Sequence, residues 1–157
     1  MKRGSFTASG FQRPEHPQPG VATSRHRVVG QHRGLGRYAV VELSAQATQG
    51  ESVVAAGYDQ GRFSCPEWDA ACFDGIAYVL ARTPGQWAIT VREVTGHAVD
   101  TTPATVGYAA IRAMCEVTGC MFDADELARL ESFALGQPPR VDATANFETL
   151  CWEPRRG

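Results

Sequence analysis

The sequence has no apolar run approaching the roughly 20 residues that a membrane span needs. Its opening, MKRGSFTASGFQRPEHPQPG, is basic at the start but holds no apolar stretch, so no secretory signal is expected and the cytoplasm is the default location. Five cysteines in 157 residues do not make a disulfide framework, because the number is odd and the chain is not small. Four residues separate Cys115 from Cys120 and six separate Cys65 from Cys72, and neither spacing is a zinc signature. These thiols read as buried or half-buried, and neither a metal nor a cofactor is expected. Nucleophile and zinc-protease motifs of the G-x-S-x-G and H-E-x-x-H kind are missing. No internal repeat is visible.

Lysine is also nearly missing: fourteen of the fifteen basic residues are arginine, a bias that GC-rich genomes also produce. The formal charge of −2 conceals an asymmetry. Residues 1–40 carry seven basic side chains and one acid, whereas residues 41–157 carry eight basic side chains and sixteen acids. Such an imbalance points either to a polyanion partner or to a solvated basic tail.

The length fits one domain with tails, enough to bury a core without metals or disulfides. Residues 1–20, rich in Gly, Pro, Ser and Gln, read as a disordered basic tail. Residues 21–120 read as the folded domain and 121–157 as a short helical and extended addition. A strand is expected over 22–29, with Arg25 and Arg27 on one face. A glycine-rich connection follows over 30–37, then strands over 38–45 and 52–57, the three pairing as an antiparallel meander. Ser64 and Glu67 have capping-box spacing around Pro66, and predict a helix running to about Arg82. Its buried face would be Trp68, Ala71, Cys72, Ile76, Val79 and Leu80. A strand over 86–94 alternates Trp87, Ile89 and Val91 with Ala88, Thr90 and Arg92. A second helix opens with Thr102 as cap and Pro103 in first place, buries Val106, Ala110, Ala113, Met114 and Val117, and stops at Gly119. The order βββαβα makes an α+β two-layer sandwich with its helices on one sheet face. Another helix over 122–136 is capped by Asp123, and beyond it Phe147, Leu150 and Trp152 are placed to pack on the body or on a partner.

Few polar residues stand out. The loop VVGQHRGLGRYAV lacks a following Lys-Ser or Lys-Thr and opens a strand rather than a helix, so it is no phosphate loop and no nucleotide is expected. Its glycines suit a turn between strands. His32, Arg33 and Arg37 crowd it, either as a solvated loop or as a grip on RNA phosphates. His97 sits at the tip of the turn GHAVD, away from any core. Asp100, three residues on, reads as a turn or capping carboxylate or as part of the same tip. Cys65 precedes a helix N-terminus, which would lower its pKa, but no base is placed beside it. His16, His26 and His32 read as solvated.

Three segments, in order, resemble the fourth domain of elongation factor G, over about Ser24 to Gly119. GQHRGLGRYAVVELS is similar to that family's glycine-rich loop, matching at Gly34, Gly36 and Tyr38, with Arg37 where the family has Gln. PEWDAACFDGI matches at Glu67, Trp68, Gly75 and Ile76. GHAVDTTPATVGYAAIRAM matches the family's His-x-Val-Asp turn and the Ala-rich helix at His97, Val99, Asp100, Thr101 and Thr102. The resemblance implies a left-handed crossover in the fold. It also implies a tRNA-mimicking tip that enters the ribosomal A site. His97, Asp100 and the His32–Arg37 loop would form that tip, with Arg25 and Arg27 gripping phosphates. The chain departs from the family in having no GTPase motif, an acidic body, and the 121–157 addition where another domain follows. The expected function is therefore a non-enzymatic ribosome- or RNA-binding module. The alternatives are a protein-interaction subunit using the acidic face and C-terminal tail, and a small enzyme using His97 with Asp100 or Cys65.

Overall fold

Alternating apolar residues lay down the sheet. The computed structural model describes residues 20–32, 34–139 and 142–154, and in it β1 (Val21–His32) and β2 (Leu35–Thr48) pair antiparallel from Val21 opposite Gln46 to His32 opposite Leu35. The expected connection over 30–37 is thus ladder almost to its end, with Gly30 opposite Arg37 and Gln31 opposite Gly36. Only a two-residue turn remains, and Gly34 supplies its positive φ of 80°. Ala39, Val41, Leu43 and Ala45 of β2 point together into the core, as their spacing predicts.

β3 (Val53–Ala56) does not join β2. It pairs in parallel with β4 (Gln86–Gly96), and the sheet order is β1-β2-β4-β3. The expected three-stranded meander is therefore a two-stranded hairpin, with β3 at the far edge. The cause lies in β4. Ala88, Ile89, Thr90 and Val91 are all buried, so both faces of that strand need cover and it takes a central position. The residues of β3 are at best half-buried, which an edge tolerates. A bulge completes β4: Val91 faces Leu43 and Glu93 faces Glu42, leaving Arg92 as the extra residue. Val94 thereby returns to the buried face of Ile89 and Val91.

The β3-to-β4 crossover runs through α1 (Pro66–Leu80). Cys65, not Ser64, holds its cap position, and no side chain caps it. The Ser64 hydroxyl instead donates to the Asp69 carboxylate at 2.7 Å, which also accepts from the Tyr58 hydroxyl at 2.6 Å. The capping box is therefore not formed, because Asp69 competes for the serine. The second long helix, α2 (Pro103–Thr118), begins and ends as predicted: Thr102 Oγ1 accepts from the Thr105 N–H, and Gly119 is left-handed. Eleven of its residues are buried, since the sheet, α1 and α3 (Ala124–Leu135) all pack on it.

Helices α1 and α2 meet at two glycines. A Cβ on Gly75 would lie 2.4 Å from the Gly107 carbonyl oxygen, and one on Gly107 would lie 2.3 Å from the Phe147 ring. This close approach explains the Gly-Ile pair at 75–76. Asp123 caps α3 by accepting from the Glu126 N–H at 2.7 Å, as expected. A small hairpin of β5 (Ala143–Asn146) and β6 (Cys151–Pro154) then places Phe147 over α2. Phe147 meets Phe133 and Tyr78 edge to face, and Trp152 lies against Phe133. The C-terminal aromatic residues are part of the same core as the sheet.

His26 corrects another expectation. It is half-buried rather than solvated, with Nδ1 3.5 Å from a Glu116 oxygen, while the Ser24 hydroxyl donates to the other oxygen of that carboxylate. Burial first, then the Arg112 charge, pushes its pKa below the ordinary histidine value. No helix among the described residues is long and apolar enough to cross a membrane.

Candidate functional site: the tip of the sheet

The β1–β2 turn and the β4–α2 turn lie at the same end of the molecule, because β2 and β4 run side by side to Ala39 opposite Gly96. One rung further, Tyr38 meets His97. The Tyr38 N–H donates to the Asp100 carbonyl at 2.9 Å, and the Tyr38 carbonyl accepts from the Thr101 hydroxyl. The same hydroxyl oxygen accepts from the His97 N–H at 2.7 Å. Within the turn, the N–H groups of Asp100 and Thr101 both donate to the His97 carbonyl. Thr101, buried at 8% exposure, thus clasps the turn to β2. The tip is held by the Tyr38–Asp100 backbone hydrogen bond and by the short, buried Thr101 side chain.

His97 is exposed and stands edge to face against Tyr38, ring centroids 4.4 Å apart. The Arg27 guanidinium lies 5.6 Å from the Tyr38 ring centre, a cation–π arrangement. Val29, Gln31, Gly36, Tyr38, His97 and Asp100 help line an open cleft of about 460 Å³. Asp100 does not cap α2, since Thr102 does that, and its carboxylate has no hydrogen bond or ion pair among the described residues. It lies over Gly36, where a Cβ would come within 3.2 Å of Oδ1. Val29, Leu35 and Val99 leave apolar surface at the same end, Val99 at 85% exposure.

The expected basic grip is smaller than the sequence implied. Arg37 is only 4% exposed. Its side chain turns toward the helices and donates to the carbonyls of Gly36 and Gly136. It serves the C-terminal end of α3, where a cation offsets the helix dipole, and although it borders the cleft it has little surface to offer a phosphate. Arg25 shares the open sheet face with Arg27, as expected. However, its Nε donates to Glu93 at 3.0 Å and lies 3.9 Å from Glu42, so its charge is answered locally. Arg25 also stands four rungs from Tyr38, about 14 Å along the strand. Arg33 and the side chain of His32 lie outside the described residues, as do residues 1–19. Arg27 and His97 therefore remain as the exposed cation-capable groups at the tip among the described residues.

The other candidates lose ground on geometry. Cys65 sits at the start of α1, but its thiol pKa is raised, by burial first and then by Glu67, so the helix end does not activate it. The His97 imidazole makes no hydrogen bond to the Asp100 carboxylate. Among the described residues no three His, Cys, Asp or Glu side chains gather as a metal site. Phe147 is buried, and Leu150 and Trp152 are half-buried against the chain's own core.

This geometry defines a class: a βββαβα two-layer sandwich with a rigid tip made of two turns. No family model matches the chain, and no curated protein matches it. Solved structures do. One is the crystal structure of a protein from Thermus thermophilus, similar at 20% identity with a TM-score of 0.53 over 63% of this chain. The match spans only 16% of that protein, so this chain corresponds to a small part of it. At this identity the likeness shows a shared fold.

Proposed function

We propose that the chain is a non-enzymatic RNA-binding module that contacts the ribosome through the tip at His97, in the manner of the fourth domain of elongation factor G. One observation supports this reading above the rest. Two turns distant in sequence are locked into one rigid end by Tyr38, Asp100 and Thr101, and that end presents an exposed imidazole beside an arginine. A preorganised tip binds with little ordering cost, and Arg27 with His97 supplies cation-capable groups that suit RNA.

Co-sedimentation with ribosomes at low and moderate salt tests this. The wild-type chain pellets at low salt and is released as salt rises, and the Arg27→Ala/His97→Ala double variant stays in the supernatant at both. Equal pelleting of variant and wild type removes the tip from the mechanism.

A further inference from the structure

The cleft at the tip holds more than a phosphate contact needs. Its wall is the His97 imidazole, buttressed edge to face by Tyr38 at 4.4 Å and leaving a solvent-facing surface. Its polar lining includes the Asp100 carboxylate and the Gln31 side chain, with the largely buried Arg37 behind them donating to the Gly36 and Gly136 carbonyls. A carboxylate beside a phosphate backbone is repulsive. A carboxylate beside an aromatic wall is instead suited to read a base, since single-stranded RNA is recognised by stacking and by hydrogen bonds to exposed base edges. At about 460 Å³ the cleft has room for one base.

Resting on the RNA-binding reading, we propose that this cleft captures a single unpaired guanine. An ionised carboxylate only accepts hydrogen bonds. Guanine alone among the four bases presents two adjacent donors on its Watson–Crick edge, N1–H and the N2 amino group, and these match the two Asp100 oxygens. Adenine and cytosine present one donor beside an acceptor, and uracil one donor between two acceptors. The Gln31 amide supplies a donor for guanine O6. The base stacks on His97, and Arg27 lies at the rim for the adjoining phosphate. Gly36 belongs to the device, because a side chain there would crowd the Asp100 carboxylate.

The test is fluorescence anisotropy of the full chain with uracil-rich nine-residue RNAs carrying guanine, hypoxanthine, adenine, cytosine or uracil at the centre. The guanine oligomer binds tightest. Hypoxanthine, which lacks the N2 amino group, binds about tenfold or more weakly, the loss of one hydrogen bond to a charged acceptor. Asp100→Asn, checked for fold by circular dichroism, abolishes the preference for guanine over hypoxanthine, and Arg129→Ala on α3 retains it. Equal affinity for the five oligomers, or a guanine preference that survives Asp100→Asn, overturns the inference and leaves the RNA-binding reading standing. Ribosome pelleting without binding to any nonamer does the same. If neither ribosomes nor nonamers bind, both the inference and the reading under it fall.

Discussion

Replacing Gly75 with alanine tests the packing that fixes the helix layer. In an exposed helix this change stabilises by about 1 kcal/mol, because alanine restricts the unfolded chain and propagates the helix better. Here the new methyl would lie 2.4 Å from the Gly107 carbonyl oxygen and 3.1 Å from the Ala110 methyl. The opposing oxygen belongs to backbone, so no rotamer change relieves the overlap. The two helices must separate by most of an ångström, and much of the dispersion energy along their contact is lost. Overpacking of this kind costs about 1–3 kcal/mol, and a rigid partner puts it at the upper end. The net loss of about 2 kcal/mol lowers Tm by roughly 4–8 °C for a chain of this size. Urea unfolding followed by tryptophan fluorescence measures it, with Ala70→Gly on the exposed side of α1 as the propensity control. If Gly75→Ala is as stable as wild type or more so, propensity dominates and the close helix contact is not what the glycine provides.

Gly107→Ala should cost a similar amount in the wild type but much less in a Phe147→Ala background, since the methyl would meet that ring at 2.3 Å; an additive double-mutant cycle would deny the contact. Thr102→Ala removes the cap of α2 and should cost about 1 kcal/mol in the same unfolding assay, whereas Ser64→Ala should not act as a cap deletion. Histidine in the unfolded chain titrates near 6.5 and folded His26 titrates lower, so as pH falls through 6.5 the unfolded state gains the proton first. Stability therefore falls from pH 7 downward until the folded pKa is passed, and His26→Asn flattens that slope; unchanged slopes would mean His26 is not the group responsible. Arg37→Ala should lower stability while leaving ribosome pelleting salt-sensitive, and loss of pelleting in a folded variant would restore Arg37 to the interface.

What the sequence reveals is mostly local. Thr102, Pro103, Gly119 and Asp123 mark helix ends through hydrogen bonds to neighbours a few residues away, so type and spacing suffice to place them. The exposure of His97 follows from a turn that no apolar residue buries. The position of β3 depends instead on which strand needs cover on both faces, a property of β4 that appears only once the sheet is assembled. The burial of Arg37 depends on where α3 ends, a hundred residues further on, and a basic residue in a glycine-rich loop looks solvated until that helix arrives. Ser64 and Glu67 have the spacing of a capping box, but Asp69 takes the serine hydroxyl. Tyr38 was legible as a strand residue and a motif match, not as the partner of His97. The signal lies in the cross-strand register, which a bulge at Arg92 shifts by one residue.

The central claim concerns which end of the molecule meets RNA. Val99 at the tip is 85% exposed and Met121, just beyond the far end of α2, is 90% exposed. The sixteen residues of α2 separate the two by about 24 Å. A photo-crosslinking amino acid placed singly at each position, irradiated with ribosomes at low salt, distinguishes the ends directly. The tip reading predicts ribosomal RNA crosslinked from position 99 and none from position 121. Crosslinks to RNA from position 121 alone, or from neither position, would contradict it.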